Sequence, residues 1–339
     1  MGSRSGAHGI LARVRRRLPS LVDAGAPSAD PSGAPQFTVI VTCLNHESYV
    51  LDALESVRSQ SRRDFQLIVT DDGSTDRSQE LIAEWLLRHF PDGRFIAHRE
   101  RRGLCVTLNE ALAHARGTWL ACLSADDRWL PSRLDAHAVA VPDDVAVIYS
   151  DAAIIRADGT PDDGRTFMHD IVRSEPYEGR ILKELAGGNF IPAMSASTRR
   201  RALLAVGGYD PSLAFEDWDA WLRLVDAGWS FRHVPGVLAE YRYSAAGSFT
   251  EAAHAERPDL AADTALLLLR HAGRSEAIDE RMRPIVLKYA RAALRGGSRR
   301  AGHVLRVRAW RLERRPRPFA LAALATLSPR LAVRALMRQ

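Results

Sequence analysis

The sequence predicts an α/β protein with a mainly parallel sheet, followed by a C-terminal region of helices. Between residues 37 and 130, short apolar runs typical of buried strands alternate with segments whose apolar residues recur at helical spacing. After residue 250 the apolar residues keep helical spacing, and only prolines and glycines interrupt them. A chain of 339 residues is long enough for one large domain with appendages or for two domains.

Composition divides the chain into three predicted regions. Residues 1–35 are rich in Gly, Ser, Ala, Pro and Arg, which predicts a flexible basic tail. Residues 36–250 hold the alternating strands and helices and are expected to form one α/β domain. Residues 251–339 are predicted to form a basic helical region, because arginine clusters alternate there with Ala- and Leu-rich runs.

Charge and cysteine content narrow the class of protein. The formal net charge is +6, with the excess arginine at the two ends of the chain. The cysteines (Cys43, Cys105 and Cys122) have neither a disulfide framework nor zinc-site spacing, which indicates a reducing cytoplasm. No long apolar segment follows the arginines within residues 13–17, and no apolar run approaches the roughly 18 residues of a spanning helix. We therefore expect a cytoplasmic protein, either free or peripheral at the inner membrane face.

The strands and helices of the α/β region can be placed in order. Apolar runs predict strands over residues 37–41, 65–69, 94–97 and 119–123. Helical spacing predicts helices over residues 47–60, 77–89 and 104–115. A strand after every helix implies parallel neighbours joined by right-handed crossovers.

After residue 130 the predicted strands and helices no longer alternate regularly. Residues 145–149 form a predicted strand, and residues 153–156 can pair through the turn at Asp158–Gly159. An amphipathic helix is predicted to open at the acidic run 215–219. The helical region after residue 250 is expected to break at Pro258, Pro284 and Gly296–Gly297.

Polar side chains follow the predicted strands where each strand ends. Thr42 follows the first strand, Asp72 follows the second, and Asp126 and Asp127 follow the fourth. Because open α/β sheets bind ligands at the carboxyl ends of their strands, these residues are expected to line one crevice. Two adjacent carboxylates are costly there unless donors or a cation offset them, and a divalent ion with diphosphate oxygens would do so. The alternative is a solvated helix start that Asp126 or Asp127 caps.

Four motifs occur in an order that resembles a known family. They are FTVIVTCLNH at residues 37–46, QLIVTDDGSTD at 66–76, GTWLACLSADDRWLPSRL at 117–134 and VGGYDPSLAFEDWDAWLRL at 206–224. Together they resemble the family 2 inverting glycosyltransferases of the GT-A fold. The resemblance implies a Rossmann-like, mainly parallel sheet with helices on both faces. It also implies that residues 36–150 form a nucleotide-sugar half and residues 151–250 an acceptor half.

The resemblance further implies a donor site. Nucleotide-binding roles carry over to Thr42, Leu44, Asn45, Asp72, Asn109 and Asp126. Metal-binding roles carry over to Asp127 and Asp126, with Mg²⁺ or Mn²⁺ between the carboxylates and the donor diphosphate. Asp72 is expected to accept a hydrogen bond from a pyrimidine N3–H. The alternative for Asp72 is that DDGSTD is only a turn followed by a helix cap.

Asp217 is the implied general base, with Glu216 as the next candidate. An inverting transfer is a single displacement and needs a carboxylate on the acceptor side to take the hydroxyl proton. Neighbouring like charges raise a carboxyl pKa, whereas a helix N-terminus lowers it, and the sequence leaves this balance open. The alternative is that these acids only favour the start of the helix.

We therefore predict a metal-dependent inverting glycosyltransferase that moves a sugar from a UDP or TDP donor to an acceptor hydroxyl, in cell-surface glycan or secondary-metabolite biosynthesis. Two departures from the family pattern support an alternative. Ser124 stands where many relatives have Asp, and Leu108 precedes Asn109 where the family often has Arg. The alternative is a catalytically weak nucleotide-sugar binding protein of the same fold. A nucleotidyltransferase is not predicted, because no Gly-rich triphosphate loop follows the first strand.

The C-terminal arginine-rich segment, RRPRPFALAALATLSPRLAVRAL, leaves two partners open. Arginines opposite an Ala, Leu and Phe face are typical of a helix that lies on a membrane surface. The same pattern suits a homodimer interface or a helical cap. No nucleic-acid partner is predicted, because no binding motif accompanies the charge.

Overall fold

The computed structural model describes residues 35–139, 141–243, 258–298, 300–308 and 312. The chain divides into two compact units. The first takes in the described residues up to Arg180 together with Phe190–Arg242. The second takes in Ile181–Asn189 and the described residues after Arg242. All the described strands belong to the first unit. The four sequence motifs also lie within its residues.

Four parallel strands form one half of the sheet, in the order β3-β2-β1-β4. They are β1 (Phe37–Cys43), β2 (Phe65–Asp71), β3 (Arg94–Ala97) and β4 (Trp119–Ser124). The apolar centres of β1 and β2, Val39–Val41 and Leu67–Val69, are buried throughout, as in strands that are covered on both faces. This half confirms the predicted parallel strands.

Helices cover both faces of these strands. The connections contain α1 (Val50–Arg58), α2 (Ser78–His89) and α3 (Leu104–His114). Val39 of β1 lies in one apolar core with Leu54 of α1, whereas its neighbour Ile40 lies in a second core with Leu108 of α3. Successive side chains of a strand point to opposite faces, so one short run of β1 supplies both cores.

The other half of the sheet is mixed. The strand order continues from β4 as β8-β6-β9-β5, and β7 pairs with β6. These strands are β5 (Arg128–Trp129), β6 (Val145–Ile155), β7 (Pro161–Thr166), β8 (Ser197–Arg199) and β9 (Ser230–Arg242). β8 is antiparallel to both β4 and β6, and β9 is parallel to β6 but antiparallel to β5.

The two extended segments predicted over 145–149 and 153–156 are one strand. β6 runs without interruption to Ile155, and its end pairs with β7 across the predicted Asp158–Gly159 turn. A polar residue inside β6 is tolerated because it is paired: the Asp151 carboxylate accepts the Met168 N–H at 3.0 Å.

The sequence did not predict β9. Pro235–Gly236 lies inside this strand, and that dipeptide ordinarily marks a turn. Here the dipeptide occupies a register shift, since Tyr149 of β6 pairs with His233 whereas Asp151 pairs with Val237. The bulge removes the ladder positions that a proline cannot serve, so the strand continues to Arg242.

Short helices complete the first unit. They are α4 (Arg133–His137), α6 (Arg200–Ala205) and α7 (Asp217–Asp226), with a π-helical turn at Phe167–Val172 and a 3₁₀ turn at Ala193–Ser195. The predicted amphipathic helix is α7, which buries its apolar residues, among them Trp221 and Leu224.

The described part of the second unit is helical. It contains α5 (Leu182–Ala186), α8 (Pro258–Arg270), α9 (Glu276–Arg295) and α10 (Ala301–Arg308). The predicted break at Pro284 is wrong, because α9 continues through this residue. Buried side chains along one face of α9, including Met282 and Val286, flank the proline and stabilise the helix across it.

No helix within the described ranges is long and apolar enough to cross a membrane. Residues 1–34 of the predicted tail and residues 313–339 of the arginine-rich segment lie outside the described residues.

Candidate functional site

The carboxyl ends of the central strands lie side by side. Thr42 of β1 is in register with Thr70 of β2 and with Ser124 of β4. The chain stays paired just beyond the strands, because the Thr42 carbonyl accepts the Ala125 N–H at 2.9 Å. The structure thus brings the residues that follow β1, β2 and β4 to one edge of the sheet.

Asp127 is a buried acid in the turn after β4. Asp127 is only 3% exposed, and its Oδ1 accepts the Arg242 N–H at 2.8 Å. Burial, followed by the charge of Asp126, raises the pKa of the Asp127 carboxyl well above its ordinary value. The turn therefore holds more negative charge than its hydrogen bonds offset.

Asp126 carries an oxygen without a partner. Its Oδ1 is buried and accepts no hydrogen bond, and His46 Nδ1, which is likewise buried and unpartnered, lies 4.0 Å away. A carboxylate with an unpartnered oxygen beside a second, buried carboxyl group is suited to a hard cation. The two adjacent aspartates therefore fit a divalent ion. Among the described residues, no group of three or more His, Cys, Asp and Glu side chains is arranged to hold a metal.

The loop after β1 is joined to the loop after β2 by reciprocal hydrogen bonds. The Asn45 N–H donates to Ser74 Oγ at 2.8 Å, and Asn45 Oδ1 accepts the Thr75 N–H at 2.8 Å. Asn45 adopts a left-handed conformation with φ of 56°, which asparagine tolerates better than most residues. The Asn45 side chain therefore shapes the loop that begins at Thr42 and the partly buried Leu44.

Asp72 is buried at the end of β2 and organises the start of α3. Its Oδ1 accepts the Arg102 N–H at 2.8 Å and the Thr107 hydroxyl at 3.1 Å, and its Oδ2 accepts the Gly103 N–H at 2.8 Å. Burial would raise the pKa of Asp72, but the hydrogen bonds lower it below its ordinary value. Oδ2 accepts a single hydrogen bond, and since a carboxylate oxygen has two lone pairs, Oδ2 can accept one further donor.

His98 is not among the residues that the sequence motifs single out. In the structure its Nδ1 lies 3.0 Å from Asp72 Oδ1, and its Nε2 lies 3.0 Å from Glu110 Oε2. The Arg102 guanidinium also reaches Glu110, at 3.0 Å. His98 therefore links Asp72 to the charged face of α3.

The Asn109 side chain forms two hydrogen bonds with the backbone of a turn that is distant in sequence. Its Nδ2 donates to the Tyr209 carbonyl at 2.7 Å, and its Oδ1 accepts the Tyr209 N–H at 2.9 Å. Gly208 has φ of 74°, and a Cβ atom there would lie 2.7 Å from Asn109 Oδ1. The glycine is needed for this close approach. Asn109 thereby positions the segment that leads to Glu216.

Three acids mark the start of α7, and their surroundings differ. Asp219 is buried and forms a paired contact with Arg223, at 2.7 Å from both Nε and Nη2. Asp217 Oδ1 accepts the neighbouring Trp218 N–H at 2.6 Å. Burial and the adjacent Asp217 raise the pKa of Glu216 to about 8.

The charge of Glu216 also reaches the strand that precedes Asp126. Burial, and then the Glu216 charge, raise the pKa of the Cys122 thiol on β4 to about 12. The same two causes raise the pKa of Cys105 at the start of α3. The Glu216 carboxylate therefore lies close enough to β4 and to the start of α3 to raise the pKa of a cysteine in each.

Arg242 has no counterpart among the residues singled out in the sequence. Its guanidinium donates to the carbonyls of Asp126 at 2.7 Å and Ala157 at 2.9 Å, and it lies 4.5 Å from the centre of the Tyr49 ring. No local pattern marks this arginine, because its partners are far away in sequence. His46 and His98 could have been found, since each follows the carboxyl end of a predicted strand.

Comparison with known proteins agrees with the geometry. A family model described as glycosyl transferase family 2 matches residues 38–207. TuaG of Bacillus subtilis, a glycosyltransferase named for teichuronic acid biosynthesis, is 25% identical over 211 residues, which are 61% of this chain and 79% of TuaG.

Two solved structures share the fold. The complex of Staphylococcus aureus TarS residues 1–349 with UDP-GlcNAc has a TM-score of 0.56 at 16% identity, covering 89% of this chain and 90% of that one. The mannosyltransferase PcManGT of Pyrobaculum calidifontis, solved with GDP-Man and Mn²⁺, has a TM-score of 0.53 at 20% identity, covering 98% and 93%. Because the family match spans half of the chain and includes the strand ends described above, this protein belongs to glycosyl transferase family 2 and is a glycosyltransferase of the GT-A fold.

Proposed function

We propose that this enzyme transfers a sugar, with inversion and with the help of a divalent metal, from a UDP- or TDP-linked donor to an acceptor hydroxyl. The observation that carries this proposal is the turn after β4, where the buried Asp127 stands beside Asp126 with its unpartnered Oδ1. TarS is described in complex with UDP-GlcNAc, and PcManGT with GDP-Man and Mn²⁺. Their ligands support a nucleotide-sugar donor.

Asp126 and Asp127 are the residues that would hold the metal. Their second source of ligands would be the donor diphosphate, since the described residues contain no third side chain arranged for the purpose. A bound Mg²⁺ or Mn²⁺ would offset the charge that develops on the departing nucleotide diphosphate. The role of the protein is to keep both carboxylates in place, through the N–H of Arg242 on Asp127 and the guanidinium of Arg242 on the Asp126 carbonyl.

We further propose that Asp72 reads the base. Its Oδ2 accepts one N–H, from Gly103, and can accept a second from a pyrimidine N3–H. Thr42, Leu44 and Asn45 would border the base or ribose. Asn109 would act from a distance, by holding the Tyr209 turn.

On the acceptor side, Asp217 is the proposed general base. The raised pKa of Glu216 keeps that side chain largely neutral near pH 7, so Glu216 is less suited to take a proton there. Asp219 is occupied by Arg223 and is the least suited of the three acids. Glu216 stays the second candidate.

The acceptor and the cellular setting are also proposals. The name of TuaG supports a cell-surface glycan, and a secondary metabolite is the alternative. We infer a cytoplasmic enzyme whose C-terminal residues contact a membrane surface or a second copy of the chain. The proposed catalytic domain is residues 36–250.

Calorimetric titration of UDP, with and without Mn²⁺, tests the proposal. Wild-type protein should bind UDP more tightly with Mn²⁺, and Asp127→Asn should lose that gain. The matched control is Asp143→Asn, an acid whose side chain is 89% exposed. TDP and GDP should be titrated in parallel. Failure of all three nucleotides to bind a folded protein would refute a nucleotide-sugar site.

A second measurement separates the enzyme from the weak binding protein that Ser124 and Leu108 suggested. Donor sugars are screened for transfer to a panel of acceptors, with release of the nucleoside diphosphate as readout. Turnover that Asp127→Asn reduces and Asp143→Asn preserves supports the transferase. Metal-dependent binding without turnover on any donor favours the binding protein.

A further inference from the structure

The His98 ring lies between two carboxylates, one of which is the proposed base-reading group. Its Nδ1 is 3.0 Å from Asp72 Oδ1, and its Nε2 is 3.0 Å from Glu110 Oε2. The side chains of His98 and Asp72 are only 6% and 7% exposed, whereas that of Glu110 is 37% exposed. One ring therefore joins a buried acid at the end of β2 to an acid near the surface of α3.

The backbone of His98 is held at the end of β2 by two hydrogen bonds. Its N–H donates to the Asp71 carbonyl at 2.9 Å, and its carbonyl accepts the Gln79 side-chain amide at 2.9 Å. The same Gln79 nitrogen donates to Asp71 Oδ1 at 2.6 Å. These bonds fix the point from which the ring extends, so Nδ1 is preorganised to face the next residue of the chain, Asp72.

The two oxygens of Asp72 have different numbers of neighbouring donors. Oδ1 accepts the Arg102 N–H and lies beside the Thr107 hydroxyl and His98 Nδ1. The Thr107 hydroxyl has one proton, and the Gly103 carbonyl competes for it at 3.1 Å. Within the described residues, Oδ2 accepts only the Gly103 N–H. The protein thus occupies Oδ1 and leaves Oδ2 with a free lone pair.

The His98 ring has to act as a donor toward Asp72. The hydrogen bonds to Asp72 lower the pKa of its carboxyl, so near pH 7 this group is ionised and only accepts. The Nδ1 proton is therefore the one that this contact needs. On the other side of the ring, Glu110 also accepts from the Arg102 guanidinium at 3.0 Å, so its charge has a second partner.

We propose that His98 is a positioning residue for recognition of the nucleobase, because its bond to Oδ1 orients the Asp72 carboxylate so that Oδ2 faces the base. The inference rests on the proposed nucleotide-sugar function and deepens it, since it assigns part of the base selectivity to His98. Uracil and thymine carry an N3–H that can donate to Oδ2. Cytosine carries a bare N3, which would face Oδ2 as one acceptor against another.

The test compares UDP with CDP, each titrated calorimetrically in the presence of Mn²⁺. The two nucleotides share the ribose and the diphosphate, so the ratio of their Kd values reports on the base alone. Wild type should bind UDP about tenfold or more tightly than CDP. His98→Leu removes both ring contacts and should lower this preference to about threefold or less.

Two amide variants separate the contact with Asp72 from the contact with Glu110. Asparagine can place its nitrogen near the position of Nδ1, whereas glutamine can place its nitrogen near that of Nε2. His98→Asn should therefore keep the preference within about twofold of wild type, and His98→Gln should lose it as His98→Leu does. The fold control is His169→Ala, whose side chain is 88% exposed, and thermal melts show whether each variant is folded.

Three results would overturn the inference. They are an unchanged preference in His98→Leu, an equal loss in all three His98 variants, and recovery in His98→Gln but not in His98→Asn. The last result would assign the ring to the packing of α3 through Glu110. If His98→Leu does not fold, the comparison of the two amide variants decides.

Failure of the proposed function looks different, because it appears already in the wild-type protein. Wild type would then bind neither nucleotide, or would bind UDP and CDP equally. In either case Asp72 does not read the base, and the role of His98 falls with it.

Discussion

The N–H of Arg242 donates a 2.8 Å hydrogen bond to Oδ1 of Asp127. This bond ties the last residue of β9 to the turn that carries both candidate metal ligands. The Arg242 guanidinium adds bonds to the carbonyls of Asp126 and Ala157, so one side chain joins the β4 turn to the β6–β7 hairpin. The geometry of the carboxylates therefore depends on a residue 115 positions away.

Replacing Arg242 should loosen this turn. Arg242→Met is expected to lower the free energy of unfolding by about 2 kcal/mol or more, because part-buried carbonyls lose a charged donor. Urea denaturation measures the effect, and Arg242→Lys should recover part of it. The control is Arg232→Met, an exposed arginine paired with Glu178 that should cost about 0.5 kcal/mol or less. An equal loss in the two Met variants would contradict the role assigned to Arg242.

Asp72 should stabilise the fold besides its proposed contact with the base. In Asp72→Asn the amide nitrogen can take the place of Oδ2. It would then face the Gly103 N–H, and two donors cannot form a hydrogen bond. We expect a loss of about 1–3 kcal/mol in the free energy of unfolding. Thr107→Val, which removes one hydroxyl bond to Asp72, should cost about 1 kcal/mol and serves as the graded comparison.

The contribution of Asp72 should also depend on pH. Its pKa in the folded protein is lowered from the ordinary 3.8, so its stabilising effect is present above that pH and disappears as the carboxylate is protonated. The stability gap between wild type and Asp72→Asn should therefore narrow below about pH 4. A gap that is constant from pH 7 to pH 3 would be inconsistent with this ionisation.

Glu216 should have the opposite pH dependence. Its folded pKa is raised from the ordinary 4.5 to about 8, so the folded state holds the proton more tightly than the unfolded state does. Stability due to this group is complete below about pH 4.5 and is lost as the pH rises through about 8. Glu216→Gln, which cannot ionise, should therefore gain in melting temperature relative to wild type between pH 5 and pH 9. A melting-temperature difference that does not change with pH would show that Glu216 titrates normally.

The acids of α7 should separate into one that serves catalysis and one that serves stability. Asp217→Asn keeps an oxygen for the Trp218 N–H, so we expect near wild-type stability and a transfer rate lowered roughly 10²- to 10⁴-fold. Asp219→Asn breaks the buried pair with Arg223 and should lower stability by about 3 kcal/mol. Thermal melts and nucleotide release under saturating substrates measure both. If Asp217→Asn retains full turnover, the base must be sought at Glu216.

The parallel half of the fold could be predicted from the sequence because its signals are local. Strands buried on both faces need continuous apolar runs, such as Val39–Val41, and acids such as Asp72 and Asp126 follow the strand ends. The mixed half was less predictable. β9 contains Pro235–Gly236, and its pairing with β6 across a bulge compensates for residues that locally indicate a turn.

The candidate site shows the same division. Asp126, Asp127 and Asp217 could be proposed from the sequence because each stands in one of the ordered motifs. The same motifs identified the family. The partners of these acids could not be predicted, because hydrogen bonds and burial depend on chains that meet only after folding.

The strand and helix periods of the parallel half, the carboxylates at its strand ends and the family all follow from local sequence patterns. Which of these carboxylates find hydrogen-bond partners depends on the folded chain. Arg242 reaches Asp127 from the end of β9, Arg223 occupies Asp219, and Asp126 Oδ1 is left facing His46. A local pattern specifies only which groups a segment carries. Burial and the neighbouring charges, which exist only after folding, set the pKa of each group and the hydrogen-bond partners that it has.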